Sequence, residues 1–292
     1  MEFQHEQIVK DPKQNQALFE RGYCILPFLT PAEVKELTSL FHANHSQENI
    51  QGLYVSSHAK SWEELNRISE QIGSTVSPHI DKHFQNIKKI GGTFIVKPTD
   101  ENNRLEPHQD WRIVDEDQYR SFTIWIALQD TNDYNGCMYV LPTSQNWIRG
   151  FRHITIPSVY GKVYELSWKY MTPVHLKAGE AIVFDQALVH ASKANQSSSL
   201  RIAATNTIIS KNASMRICCN HNGVVEEYEC PPGFYIKPES TKAPLPLNKL
   251  RDTDFKMTQL DEATFIAFAK KNGLIKPGSI HSKISKFISK WM

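Results

Sequence analysis

The sequence predicts a mainly β protein with flanking helices (α+β), built on a double-stranded β-helix (jelly-roll) core. Three observations predict it. Helical spacing comes first, ahead of Gly91, and returns only once near the end. From Gly91 onward the apolar period becomes strand-like, in short β-branched and aromatic runs separated by turn residues. There is no alternation of strands with helices, no internal repeat and no Gly-rich phosphate loop; the Gly91-Gly92 pair lacks the rest of such a fingerprint. Short antiparallel strands with helices laid on one sheet satisfy all three.

The elements follow in order. Tyr23 to Phe28 reads as a strand. Thr30 is then a helix N-cap, Pro31 takes the first helical position and Glu33 closes a capping box, with Leu29 and Val34 placed as a hydrophobic staple. That helix runs to about His42. Trp62, Leu65, Ile68 and Ile72 have helical spacing, and a further helix is expected over about 76–87. The stretches "GTFIVKP", "SFTIWIALQD", "NGCMYVLPTS" and "LRIAATNTIIS" read as strands, as do Val174–Leu176 and Ala181–Phe184 around the turn at Gly179. "MRICCNHNGVVEEYE" is a hairpin turning at Asn222-Gly223. A Pro-rich irregular stretch follows, then a short helix, "DEATFIAFAKKNG", ended by Asn272-Gly273, and a basic amphipathic tail expected to pack or fray. The chain is thus expected to be one domain: N-terminal helices over 13–87, a jelly-roll core over about 88–212, and a C-terminal hairpin and helical extension over 213–292.

Composition narrows the function. A net charge of +2, with no long basic run, argues against nucleic acid as a partner. No segment approaches the roughly 20 apolar residues of a membrane span, and the polar N-terminus lacks a secretory leader, so a cytoplasmic protein acting on a small molecule is expected. Five scattered cysteines fit a reducing compartment. Cys218, Cys219 and Cys230 lack the spacing of a zinc site and read as buried thiols.

The chemistry lies in "RLEPHQDWRIVDED". On extended backbone, residues two apart share a face, so His108 and Asp110 converge with Gln109 turned away. A nitrogen and a carboxylate donor so placed can hold a divalent metal, and one further histidine completes a facial triad with open positions. His190 fits by context: it follows an apolar strand and precedes a polar loop, and Arg201 opens the next strand eleven residues later. A buried arginine there can grip a carboxylate in two-point fashion, as the far end of a dicarboxylate such as 2-oxoglutarate requires, and Ser192 can donate to the same group. His175, the rival, reads as a packed or surface residue. Pro107 biases the backbone before His108 toward extended geometry. Arg112, Trp111 and Gln109 are the candidate substrate contacts, with Arg104 and Gln186 near the mouth. Lys97 is either a structural strand-end lysine or a residue that shapes the site.

From about Gly22 to Asn206 the sequence resembles the phytanoyl-CoA dioxygenase (PhyH) family of Fe(II)/2-oxoglutarate oxygenases. The resemblance runs through "GYCILPFLTPAEV", Lys97-Pro98, "HQD", "WIALQDTNDYNGCMYVLPTSQ", and "VHAS" with Arg201. It implies that His108, Asp110 and His190 are iron ligands, that Arg201 and Ser192 grip 2-oxoglutarate, that Trp125 lines its pocket, and that dioxygen is the oxidant. Two departures stand out. The family's Gly-Ser-His after Leu-Pro is Thr143-Ser144-Gln145 here, and residues beyond about 211 match nothing in the family. Halogenating relatives lack the carboxylate, so the intact Asp110 implies hydroxylation or desaturation. The expected activity is hydroxylation of an unactivated C–H bond of a small, polar metabolite. The alternative is a cupin-like isomerase or sugar-binding module, which shares the triad but has no use for Arg201.

Overall fold

The computed structural model describes residues 6–45, 54–55, 61–100, 102–231 and 233–275. Five α-helices are α1 (Pro12–Arg21), α2 (Pro31–Asn44), α3 (Trp62–His83), α4 (Tyr164–Trp168) and α5 (Glu262–Lys271). The strands are β1 (Tyr23–Pro27), β2 (Tyr54–Val55), β3 (Ile87–Lys97), β4 (Leu105–His108), β5 (Ser121–Ala127), β6 (Met138–Val140), β7 (Thr172–Val174), β8 (Glu180–Asp185), β9 (His190–Ser192), β10 (Arg201–Ser210), β11 (Arg216–His221), β12 (Val224–Glu229) and β13 (Lys249–Asp252).

They form a jelly roll. The major sheet runs β1-β8-β5-β10-β3-β2 and the minor sheet β4-β9-β6-β7, each with antiparallel pairing between neighbours. Strand β5 is buried at every position because both of its faces are covered. Phe122, Ile124 and Ile126 pack with Ile68, Ile72, Val76 and Ile80 of α3, while Trp125 and Ala127 point the other way, into the sandwich with Met138 and Val140 of the minor sheet. Helices α1 to α3 therefore cover the outside of the major sheet. Among the described residues, no helix is long and apolar enough to cross a membrane.

The local signals act as their chemistry requires. The capping box at Thr30 and Glu33 is made, and a second forms at Ser61 and Glu64. Helix α1 was not singled out in the sequence, yet Asp11 caps it, accepting from the Lys13 and Gln14 amides, and Pro12 occupies its first turn. The separate helix expected over 76–87 is instead the C-terminal part of α3, one continuous helix ending at His83. Pro78 sits inside it. The buried stripe Leu65, Ile68, Ile72, Val76 and Ile80 holds both halves against one sheet, which outweighs the proline's missing hydrogen bond.

The hairpin of β11 and β12 turns at Asn222-Gly223 with both residues in the left-handed region, as expected, and gains an unforeseen third strand, β13. Helix α5 ends before Gly273, and α4 was not anticipated. The basic tail lies outside the described residues.

Candidate active site

Strand pairing brings the two histidines together. His108 ends β4, His190 opens β9, and the two are in register across the ladder, with ring centroids 4.3 Å apart. Each ring is oriented by its own backbone. His108 Nδ1–H donates to the Glu106 carbonyl (2.8 Å) and His190 Nδ1–H to the Leu188 carbonyl (3.1 Å). A carbonyl can only accept, so Nδ1 is the donor in both rings, which leaves Nε2 as the candidate metal-binding nitrogen. His190 Nε2 lies 3.7 Å from Asp110 Oδ1. The other carboxylate oxygen, Oδ2, accepts from Thr123 Oγ1 of β5 (2.9 Å), and the Asp110 carbonyl accepts from Arg152 Nε (2.8 Å). Burial, then the neighbouring His190, pulls the His108 imidazole down to about 4, so it is neutral at physiological pH. Two imidazoles held by backbone carbonyls and a braced carboxylate make a donor set suited to a divalent metal.

The three groups open into a cavity of about 170 Å³ between the sheets, which Trp125, Ser192 and Arg201 also line. Arg201, the first residue of β10, is buried, and its guanidinium stacks on Trp125 at 5.1 Å. Its Nε has no hydrogen-bond partner, and no carboxylate pairs with it among the described residues. Burial draws it down to about 10, leaving it a cation at neutral pH.

Lys97 ends β3 directly opposite Arg201 in the register. Its ammonium donates to Ser192 Oγ (2.6 Å) and to the Lys193 carbonyl (2.5 Å). Burial, then the Arg201 charge, draws it down to about 7. Gly136, in the left-handed region at the Asn135-Gly136 turn, lets that turn close over the lysine; a Cβ there would lie 2.9 Å from Lys97 Cδ.

The remaining sequence candidates divide. Trp111 and Gln109 line a second, outer cavity that shares Leu105 and His108 with the first. The Gln109 amide nitrogen is committed to the Ile148 and Ala187 carbonyls (3.0 and 2.6 Å). Arg112 does not line either cavity: its guanidinium is buried over the Phe151 ring (4.5 Å) and pairs with Asp115 (3.1 Å). Arg104 sits on the surface between Glu106 and Glu165. Gln186 is buried and donates to Thr123 Oγ1 (3.3 Å), behind Asp110. The polar rim expected around the mouth is thus engaged within the protein.

His175 lies exposed against Asp133 (2.9 Å). With Cys137 these form a second cluster of donor atoms, but burial, then Asp133, pushes that thiol up to about 12, and Lys193 stands 3.7 Å from the carboxylate. The departure at Thr143-Ser144-Gln145 forms a turn in which Gln145 reaches the Phe19 carbonyl (3.0 Å), tying it to α1.

Sequence reasoning missed Thr123, the buried pairs of Arg152 with Glu116 (2.5 Å) and Arg149 with Asp185 (2.5 Å), and Tyr235 from the C-terminal extension, whose ring meets Trp111 at 5.8 Å. No local signal marks these residues, because every partner is remote in sequence.

Comparison with known proteins agrees with this architecture. A curated phytanoyl-CoA dioxygenase of Arabidopsis thaliana is 33% identical over 116 residues, which cover 38% of this chain and 40% of that protein. A phytanoyl-CoA dioxygenase domain-containing protein 1 of Danio rerio is 28% identical over a stretch of the same length, covering 37% and 40%. The matched stretch therefore spans about two fifths of those relatives. Two solved structures share the fold. One is SnoK, a non-heme α-ketoglutarate-dependent carbocyclase from nogalamycin biosynthesis (TM-score 0.56, 18% identity, 71% of this chain and 87% of that one). The other is the epimerase SnoN, solved with Fe3+, α-ketoglutarate and nogalamycin RO (TM-score 0.53, 17% identity, 85% and 94%). The phytanoyl-CoA dioxygenase (PhyH) family model matches residues 19–203, from α1 into β10, and the chain belongs to that family.

Proposed function

We propose that this protein is an Fe(II)- and 2-oxoglutarate-dependent oxygenase that hydroxylates an unactivated C–H bond of a small molecule. The observation that supports it most is Arg201: a buried cation without a carboxylate partner among the described residues, in the same cavity as the His108, Asp110 and His190 donor set. Leaving a charge buried and unpaired is costly unless a ligand supplies the opposite charge. A dicarboxylate short enough to reach both the donor set and Arg201 meets that need. The family's Fe(II), 2-oxoglutarate and dioxygen fit these residues.

His108, Asp110 and His190 would hold the metal through Nε2, Oδ1 and Nε2. When bound, the metal with 2-oxoglutarate and dioxygen supplies the oxidising chemistry, yielding succinate and carbon dioxide as the substrate gains a hydroxyl. Thr123 and the Arg152 guanidinium keep Asp110 in place. Arg201 grips the far carboxylate of the co-substrate, Ser192 donates to it with Lys97 behind, and Trp125 walls the pocket. Lys97, left open by the sequence, joins the site on this reading.

The test is anaerobic. Fe(II) and 2-oxoglutarate added to the purified protein should produce a visible metal-to-ligand charge-transfer band, lost in Arg201→Ala and in His190→Ala. Metal binding with no band and no 2-oxoglutarate affinity would sink the oxygenase reading and favour a cupin-like metal protein instead.

A further inference from the structure

The outer cavity, about 480 Å³, touches the inner one at His108 and Leu105, so a molecule bound in it lies beside the donor set. That volume is typical of a small-molecule site. One wall is the segment 148–159. The other comes from residues 255–258, which lie beyond the family match ending at 203. This second wall is an extended strap whose burial alternates: Thr253, Phe255, Met257 and Gln259 are half-buried, and Asp254, Lys256 and Thr258 are exposed. Both ends are pinned. The Thr253 amide donates to the Val225 carbonyl (2.9 Å) and the Leu260 amide to the Val159 carbonyl (2.8 Å). Phe255 meets Phe151 edge-on at 5.5 Å. Gly150 allows this approach, since a Cβ there would stand 2.9 Å from the Phe255 ring.

The charges around this chamber are spent. Arg152 is paired with Glu116 (2.5 Å), and its remaining donors go to the Asp110 and Gly150 carbonyls. His153 is engaged at both ring nitrogens, with Thr155 Oγ1 (2.9 Å) and the Ser240 carbonyl (2.7 Å). Most of what faces the space is aromatic and aliphatic, Trp111, Phe151, Ile156, Phe255 and Met257, with the uncharged Gln109, Ser158 and Thr258 beside them. Arg112, stacked on Phe151, fixes that ring from outside the cavity.

We infer that this chamber takes an uncharged, ring-bearing apolar substrate, and that Phe255 and Met257 of the strap select it. An ionised group would be desolvated there without a counter-ion, whereas a planar ring gains stacking and burial. The inference replaces the expected polar substrate, because the side chains behind that expectation are engaged elsewhere. It rests on the oxygenase reading for its chemistry but not for binding.

The test uses the full chain with Fe(II) and 2-oxoglutarate, without oxygen, and the neutral fluorophore N-phenyl-1-naphthylamine as probe. The probe should brighten and bind saturably. It should bind at least about tenfold more weakly to Met257→Glu and more weakly to Phe255→Ala, with the charge-transfer band still formed in both as evidence of folding. Displacement by 2-naphthol should be at least about tenfold more effective than by 2-naphthalenesulfonate, its anionic counterpart of similar shape. Equal or better displacement by the sulfonate overturns the inference. So does a band-forming protein that fails to bind the probe, or variants that bind it as the parent does. Probe binding with the expected preference but no band in the parent protein leaves the chamber's selectivity standing and removes the oxygenase reading alone.

Discussion

The two cavities meet at His108, yet they treat buried charge in opposite ways. In the inner one, Arg201 has no anionic partner among the described residues and Lys97 is held by hydroxyl and carbonyl oxygens. Around the outer one, Arg152 and Arg112 are matched by Glu116 and Asp115, and Arg149 nearby is matched by Asp185. Arginine inside a protein is therefore not by itself a sign of ligand binding. A paired guanidinium can serve as scaffold, because its charge is already compensated; an unpaired one can take an anion from outside. The inner cavity is built by chain within the family match, and the outer one is completed by the strap beyond it.

The largest effect expected is from removing a member of the donor set. His190→Ala and Asp110→Ala should abolish turnover and tight Fe(II) binding, measured by metal retention after chelator treatment. Next comes Arg201→Ala, which removes the inner cation. It should weaken 2-oxoglutarate binding by about 3–4 kcal/mol, or roughly 10²–10³-fold, read from titration of the charge-transfer band. Arg152→Ala should leave co-substrate affinity far less changed and act mainly on stability by stranding Glu116; equal co-substrate losses in the two would erase the contrast.

A smaller effect is expected at Thr123→Val, which frees Asp110 Oδ2 while keeping side-chain volume. Metal affinity should fall by about 10- to 100-fold. The effect of Lys97 depends on pH. Its ammonium, drawn down to about 7 from an ordinary 10.5, loses its proton as pH rises through 7, so 2-oxoglutarate affinity should decline over that range in the parent and stay flat in Lys97→Met. For stability the sign is opposite. Between about 7 and 10.5 the unfolded chain binds the extra proton, so this group's contribution to folding rises with pH across that window and is lost as pH falls through 7. Melting temperature against pH, compared in parent and Lys97→Met, checks it.

Much of this was open to a reader of the residues. The H-x-D spacing puts two donors on one face once the backbone there is read as extended. Arg201 announces itself as a strand start, and His190 as a residue following an apolar strand, although it opens the short strand β9. The capping boxes, the Asn-Gly turns and the change of period at Gly91 are local rules obeyed locally. The major sheet was recognisable because continuous apolar runs such as "SFTIWIA" suit a strand covered on both sides. Other features were out of reach. The apolar spacing read as two helices, one of them over about 76–87, is a single helix in the fold because one buried stripe packs against the sheet along its length. Arg112 looked free because Asp115, though near in sequence, is only one of several carboxylates it could meet, and Phe151 beneath it is remote.

The sequence by itself determined the donor types, their two-residue spacing, and the class of fold, since period, turn and cap chemistry act between near neighbours. Only the tertiary structure decided that His108 and His190 stand in register, that Arg201 has no carboxylate partner among the described residues while Arg152 has one, and that the strap at Phe255 and Met257 lines the outer chamber. Those are contacts between residues tens of positions or more apart, set by how sheets pair and pack, and no short window of sequence contains both sides of them.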